Sequence, residues 1–319
     1  MSKRALILGV GGQDGSYLAD ILLEKDYEVH GFIRRSSVDN TVRVKHALNR
    51  ITMHHGDLTD YSSVERAVAA CNPHEIYNEA DQDVVGWSKE SPLYSYQVTF
   101  AAVGNLLEVV RKSCPDARVF QPASATMFQG AAWPQDESAP LTPQSPYAVA
   151  KAGAYLMARY YRQVHGLFVS TGILYNHDSP RRSEDFLVHK ICRSAIRLAD
   201  NMQNSLKLGN LTHQVDIGHA REYMEAAHAM LQLSNPDDFV LSTSHPTSVG
   251  ALADYALEKV GLEGGVGKWV LEDSAFISKS DKQDIPLVGD NSKAHQAFGF
   301  DPQLYGWKLI DSIITELQQ

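Results

Sequence analysis

The sequence predicts an α/β chain with a doubly wound parallel sheet and a smaller C-terminal lobe. Short apolar runs alternate with segments of helical period through the first half. A glycine-rich turn, Gly9-Val10-Gly11-Gly12-Gln13-Asp14-Gly15, joins the first apolar run to the first helical segment. From Asn176 onward, turn residues interrupt the alternation. A chain of 319 residues holds one large α/β unit, or a main domain with an attached lobe.

The elements follow in order. Arg4 to Leu8 is short and apolar, as a buried parallel strand is. Tyr17, Leu18, Ile21 and Leu22 repeat at helical spacing. Tyr27 to Ile33 and Ile51 to His55 read as the second and third strands, and Ser63 to Ala70 as a helix. Glu75 to Asn78 is a strand, Tyr96 to Cys114 one long helix, and Arg118 to Gln121 another strand. Pro146 to His165 has helical periodicity, and Leu167 to Leu174 is β-like. Strands and helices in alternation give a parallel sheet covered on both faces, with right-handed crossovers. The expected division is a nucleotide-binding domain over 1–176, with part of 212–245 returning to it. A substrate-binding lobe takes 177–211 and 246–319.

Composition narrows the function. Apolar residues make up 44% and charged residues 21%, as in ordinary globular chains. A net charge of −9 argues against a nucleic-acid footprint, which needs a basic face. No apolar run is long enough to span a bilayer. The start, Met1-Ser2-Lys3-Arg4, does not read as a secretory leader. Cys71, Cys114 and Cys192 lie far apart without metal-type spacing, so the expectation is reduced thiols in a cytoplasmic protein with no metal.

Gly9, Gly12 and Gly15 have GxxGxxG spacing between a strand and a helix. Chemistry favours glycine there because the turn is tight and the backbone must approach a pyrophosphate at a helix N-terminus. A glycine turn without a ligand is the bland alternative, and the flanking strand and helix weigh against it. This places the sheet in the Rossmann type. After the second strand come Arg34-Arg35-Ser36-Ser37, where an NAD site usually carries an acidic residue. Guanidinium groups fork onto phosphate oxygens, so Arg34 and Arg35 predict NADP. Asp57 and Leu58 fall where the adenine lies in such a sheet.

Tyr147 and Lys151 stand four apart in a helical segment and so share a face. An ammonium beside a phenol favours the phenolate, as does the positive nicotinamide ring of an oxidised cofactor, and the expectation is that both draw the Tyr147 pKa down from ~10 toward the working range. Tyr147 then takes a proton from a sugar hydroxyl while hydride leaves the same carbon.

Several runs together resemble the GDP-mannose 4,6-dehydratase family. They are Gly9 to Leu18, Arg34 to Ser37 with Asn40-Thr41, Gly56 to Asp60, and Ser145 to Lys151. Gly172 to His177 continues into Asp178-Ser179-Pro180-Arg181-Arg182. Leu208 to Leu211 and Gly289 to Ala294 complete the resemblance, which covers essentially the whole chain. It implies an NADP-dependent extended short-chain dehydrogenase/reductase acting on a GDP-sugar. It also implies that Gln13, Asp14 and His177 join the cofactor site. Asn176, Arg181 and Lys190 would face the nucleotide-sugar. The Arg34-to-Thr41 segment would join subunits, giving a homodimer or homotetramer.

The likeness breaks on the substrate side. The family's Thr-Ser-Glu or Thr-Asp-Glu becomes Ala125-Thr126-Met127, so a positioning hydroxyl and an acid/base are both replaced. Losing a positioned acid/base costs about 10²–10⁴-fold. A neutral run becomes Asn78-Glu79-Ala80-Asp81-Gln82-Asp83, and Asp83 is the expected relocated acid/base. Solvated or paired carboxylates are the plain alternative. An Arg-Asp-Trp run becomes Val215-Asp216-Ile217, and a late Arg-Pro falls near Ser280-Asp281, between Lys279 and Lys282. The favoured reading is hydride abstraction at the sugar, at C4, with net epimerisation or dehydrogenation/reduction. Tyr147 is then the base, Lys151 tunes it, and Ser124 or Thr126 replaces the lost hydroxyl. The alternatives are a true dehydratase (a lyase) using Asp83, and a non-catalytic NADP-binding paralogue.

Overall fold

The computed structural model describes residues 2–273 and 285–319, so Lys279, Ser280, Asp281 and Lys282 lie outside the described residues. Seven parallel strands form the main sheet. They are β1 (Arg4–Leu8), β2 (Glu28–Ile33), β3 (Ile51–His55), β4 (Glu75–Asn78), β5 (Arg118–Ser124), β6 (Val169–Leu174) and a seventh, Asp238–Leu241. Their order is 3-2-1-4-5-6-7, so the winding reverses between β1 and β4. In open α/β sheets that reversal opens a crevice at the carboxyl ends of the strands.

The central strands are apolar on both sides because both faces are covered. One face packs under α1 (Gln13–Glu24) and the helix Ala220–Met230, around Ile7, Leu18, Met224 and Phe239. The other packs under α2 (Tyr61–Cys71) and the helices Ala102–Ser113 and Pro146–His165, around Leu6, Val64, Leu106 and Ala158. Asp238 to Leu241 pairs in register with Thr171 to Leu174, so a late segment completes the sheet. Arg162 clamps that strand through Asp238 with two bonds of 2.8 and 2.7 Å.

The second half builds its own core from Val188, Ile191, Leu252 and Ile310, on the helices Leu187–Ala199, Val249–Lys259 and Gly306–Leu317. Asp216 ties this half to the sheet end. Buried completely, it accepts from Thr243 N and Oγ1 at 2.8 and 2.6 Å and from Gly289 N at 3.2 Å.

The expected single helix from Tyr96 to Cys114 is divided. Tyr96–Ala101 is π-helical, and Ala102–Ser113 continues as α-helix. Periodicity cannot reveal this, because the apolar spacing runs through the join while the π-turn inserts one residue into it. Among the described residues no helix is long and apolar enough to cross a membrane, and no group of His, Cys, Asp and Glu is arranged to hold a metal. All three cysteines are buried and free.

Candidate active site

Two adjoining cavities, of about 730 and 380 Å³, occupy the crevice at the carboxyl ends of the strands. A third of about 650 Å³ lies at the opposite end, beside Arg4, Glu75 and Arg118. The strand-end argument favours the first two as the site.

Gly9 opens the larger cavity. Its φ is +81°, and a Cβ there would lie 2.6 Å from the Glu79 carbonyl oxygen. Gly15 lets α1 close on the turn, since a Cβ would meet Gly9 O at 2.4 Å. No side chain caps α1 at Gly12, which leaves its N-terminus to an anion. Arg34, Asp57 and Leu58 line the same cavity, and Arg34 Nη1 donates to Tyr94 Oη at 2.9 Å. Arg35 is exposed and lines neither cavity. The second cation at this end is Arg43, which sequence reasoning missed. It sits in the 3₁₀ segment Val42–Arg50, with Nη1 3.4 Å from Gly11 O. The cradle, the uncapped helix and the two guanidinium groups fit a dinucleotide with an adenosine phosphate.

The smaller cavity gathers Tyr147, Lys151, Ser124, Thr126, Asn176 and His177. Sequence explains the placing of the first pair. Ser145 Oγ caps the helix by accepting from Ala148 N at 3.1 Å, Pro146 occupies the first turn, and Gly166 ends the helix with φ +69°. Tyr147 and Lys151 are thus buried one turn apart at the helix start. Ser124 and Thr126 join hydroxyls at 2.9 Å, and both line the same cavity as Tyr147. Ala125 and Met127 turn away into a core with Phe128 and Tyr155, and Met127 is wholly buried.

The remaining expected residues divide. His177 Nε2 meets Asp14 Oδ2 at 3.0 Å. Burial alone lowers His177, but Asp14 raises it above its ordinary range. Burial also works against the Asp14 charge, yet His177 and Arg182 hold it low. Gln13 works from behind this pair, bonding Asp14 and accepting from Ser179 Oγ at 2.8 Å. Arg181, expected at the substrate, faces the other way. It lies over the Tyr17 ring at 4.1 Å and pairs with Asp20 at 2.7 Å. Its neighbour Arg182 lines the cavity instead, 3.3 Å from Asp83 and 3.5 Å from Asp178. Lys190 lines neither cavity.

The segment after β4 forms the wall shared by both cavities, and Glu79, Asp81 and Asp83 all line it. Asp83 is raised by burial and opposed by Arg182, and half its side chain still meets solvent. Asp81 Oδ2 lies 2.6 Å from Lys151 Nζ. Glu79 Oε1 is buried without a hydrogen-bond partner among the described residues, and burial, then Asp14 and Asp81, pushes the acid well above the usual range. The signal in sequence was the i, i+2 spacing of three carboxylates, which puts them on one side of an extended segment.

For Tyr147, the expected lowering by Lys151 is present but is outweighed among the protein's own groups. Burial pushes its phenol up to about 12; Lys151 pulls it down, and Asp81 and Asp83 push it back up. The protein's own groups therefore do not draw Tyr147 toward neutrality: burial outweighs the Lys151 ammonium, which also faces the Asp81 carboxylate.

A profile of the family described as GDP-mannose 4,6 dehydratase matches residues 6–313. The chain is 40% identical over 326 residues to GDP-mannose 4,6 dehydratase 2 of Arabidopsis thaliana, covering 98% of this chain and 86% of that one. It is 39% identical over 322 residues to GDP-mannose 4,6-dehydratase of Sinorhizobium fredii, covering 93% and 92%. Among solved structures, UDP-glucose 4-epimerase of Thermotoga maritima with UDP-glucose superposes at a TM-score of 0.85 and 18% identity, covering 99% of both chains. RMD of Pseudomonas aeruginosa complexed with NADPH superposes at 0.81 and 17% identity, covering 98% of this chain and 99% of that one. At these identities the structures speak to the fold alone.

Proposed function

This chain belongs to the GDP-mannose 4,6-dehydratase family, and on that premise we propose that it is an NADP-dependent enzyme oxidising or reducing a GDP-sugar without 4,6-elimination. The observation that carries the reading is Tyr147 and Lys151 kept together in the cavity while Met127, the residue that the resemblance sets against the family glutamate, is wholly buried. Elimination needs a base for the C5 proton and an acid for the departing C6 hydroxyl, and a thioether is neither. Oxidation and reduction at C4 need only one proton relay, from Tyr147, with Ser124 and Thr126 beside the sugar oxygen. A bound NADP would supply the hydride exchange. Gly9, Gly12, Arg34 and Arg43 would hold its phosphates. Epimerisation follows when the intermediate ketone is reduced on its other face.

A homodimer or homotetramer belongs to this reading. Val149, Leu156, Tyr160 and Val164 leave an exposed apolar stripe along one helix, which supports a partner there. The cytoplasm is the proposed location.

Mass spectrometry of GDP-mannose incubated with the protein and NADP tests the chemistry. The expected product keeps the mass or changes it by hydrogen alone. Loss of one water sinks the proposal and favours the second reading, supported by Asp83 on the cavity wall: a dehydratase whose elimination disappears in Asp83→Asn.

A further inference from the structure

Lys151 is the ammonium on which a Tyr–Lys pair depends, and it is not free to act on the phenol alone. It is 5% exposed, with Nζ 2.6 Å from Asp81 Oδ2 and 3.2 Å from Pro122 O. Asp81 is itself held. Its Oδ1 accepts from Gln82 N at 2.7 Å and from Thr99 Oγ1 in a shorter contact. Thr99 is buried inside the π-helix Tyr96–Ala101. A π-turn rotates the residues after it relative to an α-helix, and such turns gather at functional sites. The chain Thr99–Asp81–Lys151–Tyr147 therefore runs from a helical irregularity to the proton-transfer group through buried contacts.

We propose that Asp81 is a positioning residue that pins Lys151 and keeps the proton on Tyr147, so that the pair is set to reduce a carbonyl sugar rather than to oxidise an alcohol. This rests on the reading above and selects one direction of it. In a reduction, hydride from a reduced nicotinamide adds to the carbonyl carbon, and the C=O π pair moves onto oxygen. Tyr147 O–H gives its proton to that oxygen and becomes a phenolate, which solvent reprotonates. A phenol that holds its proton at neutral pH is the form this step uses. An oxidation would need the phenolate first.

The charged groups facing Tyr147 are Lys151 on its own helix and Asp81 and Asp83 on the segment after β4, while Glu79 reaches Lys151. Ser124 from β5, Ser88 from the helix Val85–Glu90 and Thr99 are uncharged. Of these, Asp81 is the carboxylate in contact with the ammonium.

The test follows Tyr147 directly by ¹³Cζ-tyrosine NMR on the chain alone, with Tyr147→Phe assigning the signal. Asp81→Asn should lower the Tyr147 titration by at least about one pH unit, a tenfold change in its equilibrium. An unmoved titration in a folded Asp81→Asn overturns the proposal. Should removing the partner of a buried ammonium prevent folding, Thr99→Val, which keeps shape and charge, is read instead. It should shift the titration the same way by a smaller amount, and no shift there overturns the proposal equally. Rates with NADPH and a GDP-linked keto-sugar form the second arm. The wild-type rate should hold into alkaline pH and fall earlier in Asp81→Asn. A titration that moves in a protein that turns over no keto-sugar leaves the role of Asp81 in place and refutes the proposed activity.

Discussion

The two walls of the crevice are made of different material. The glycine wall presents backbone: Gly9, Gly12 and an uncapped helix N-terminus. The wall after β4 presents carboxylates, Glu79, Asp81 and Asp83. The first wall fixes shape, and side chains are excluded from it by contact. The second fixes charge, and its residues can change without disturbing the strand behind them. A family can therefore keep its cofactor fold while its proton chemistry is rewritten a few ångströms away.

The largest effect should come from breaking the shape wall. Gly9→Ala forces a Cβ onto the Glu79 carbonyl at a positive φ, and should cost about 3 kcal/mol or more. Calorimetry should then find NADP affinity reduced by at least about a hundredfold. Native affinity in that variant would mean that the backbone cradle is not where the cofactor binds.

Met127→Glu tests whether the family acid can simply be restored. Met127 is wholly buried among Phe128, Tyr155 and Ala131, so the new carboxylate has no partner. The expected result is about 3 kcal/mol or more of lost stability in urea titrations and no gain of elimination. A stable variant that eliminates water would show that the core had room for the acid after all.

Arg34→Ala and Arg43→Ala sharpen the comparison at its cationic end. Each should weaken NADP by about tenfold and leave NAD nearly unchanged, as measured by fluorescence titration. Equal losses for both cofactors would remove the case for the adenosine phosphate.

The smallest effect belongs to Glu79. Burial and the neighbouring Asp14 and Asp81 raise its folded value above the unfolded one. The folded state then holds the extra proton, so stability falls as pH rises from the ordinary Glu range through the folded value. Glu79→Gln should leave the Tm alone at about pH 4 and raise it by a few degrees at about pH 8. The same gain at both values would point to packing instead of ionisation.

Much of this was legible in the sequence. The six first strands, the glycine turn and the Tyr147–Lys151 helix follow from apolar period, spacing and caps, which are local quantities. What sequence missed depends on direction. Arg181 and Arg182 are adjacent and chemically identical, and which of them faces the cavity is decided by Asp20 and Tyr17 on α1. Arg43 reaches the cofactor end only because the 3₁₀ segment folds back over Gly11. Asp83, the expected acid, faces Arg182, while Glu79 Oε1 is buried without a hydrogen-bond partner among the described residues. Charge sums to a number in sequence, but its pairing exists only in three dimensions.

The late arrival of the strand Asp238–Leu241 has a consequence for biosynthesis. β6 is complete when Leu174 emerges, but the strand that covers its outer edge begins only at Asp238, about 64 residues later, and at ~5–20 residues per second the ribosome takes several seconds to supply it. For that interval the nascent sheet carries an open, apolar edge, the kind of surface that recruits chaperones or a second nascent chain. The Arg162 clamp on Asp238 closes that window once the strand has docked.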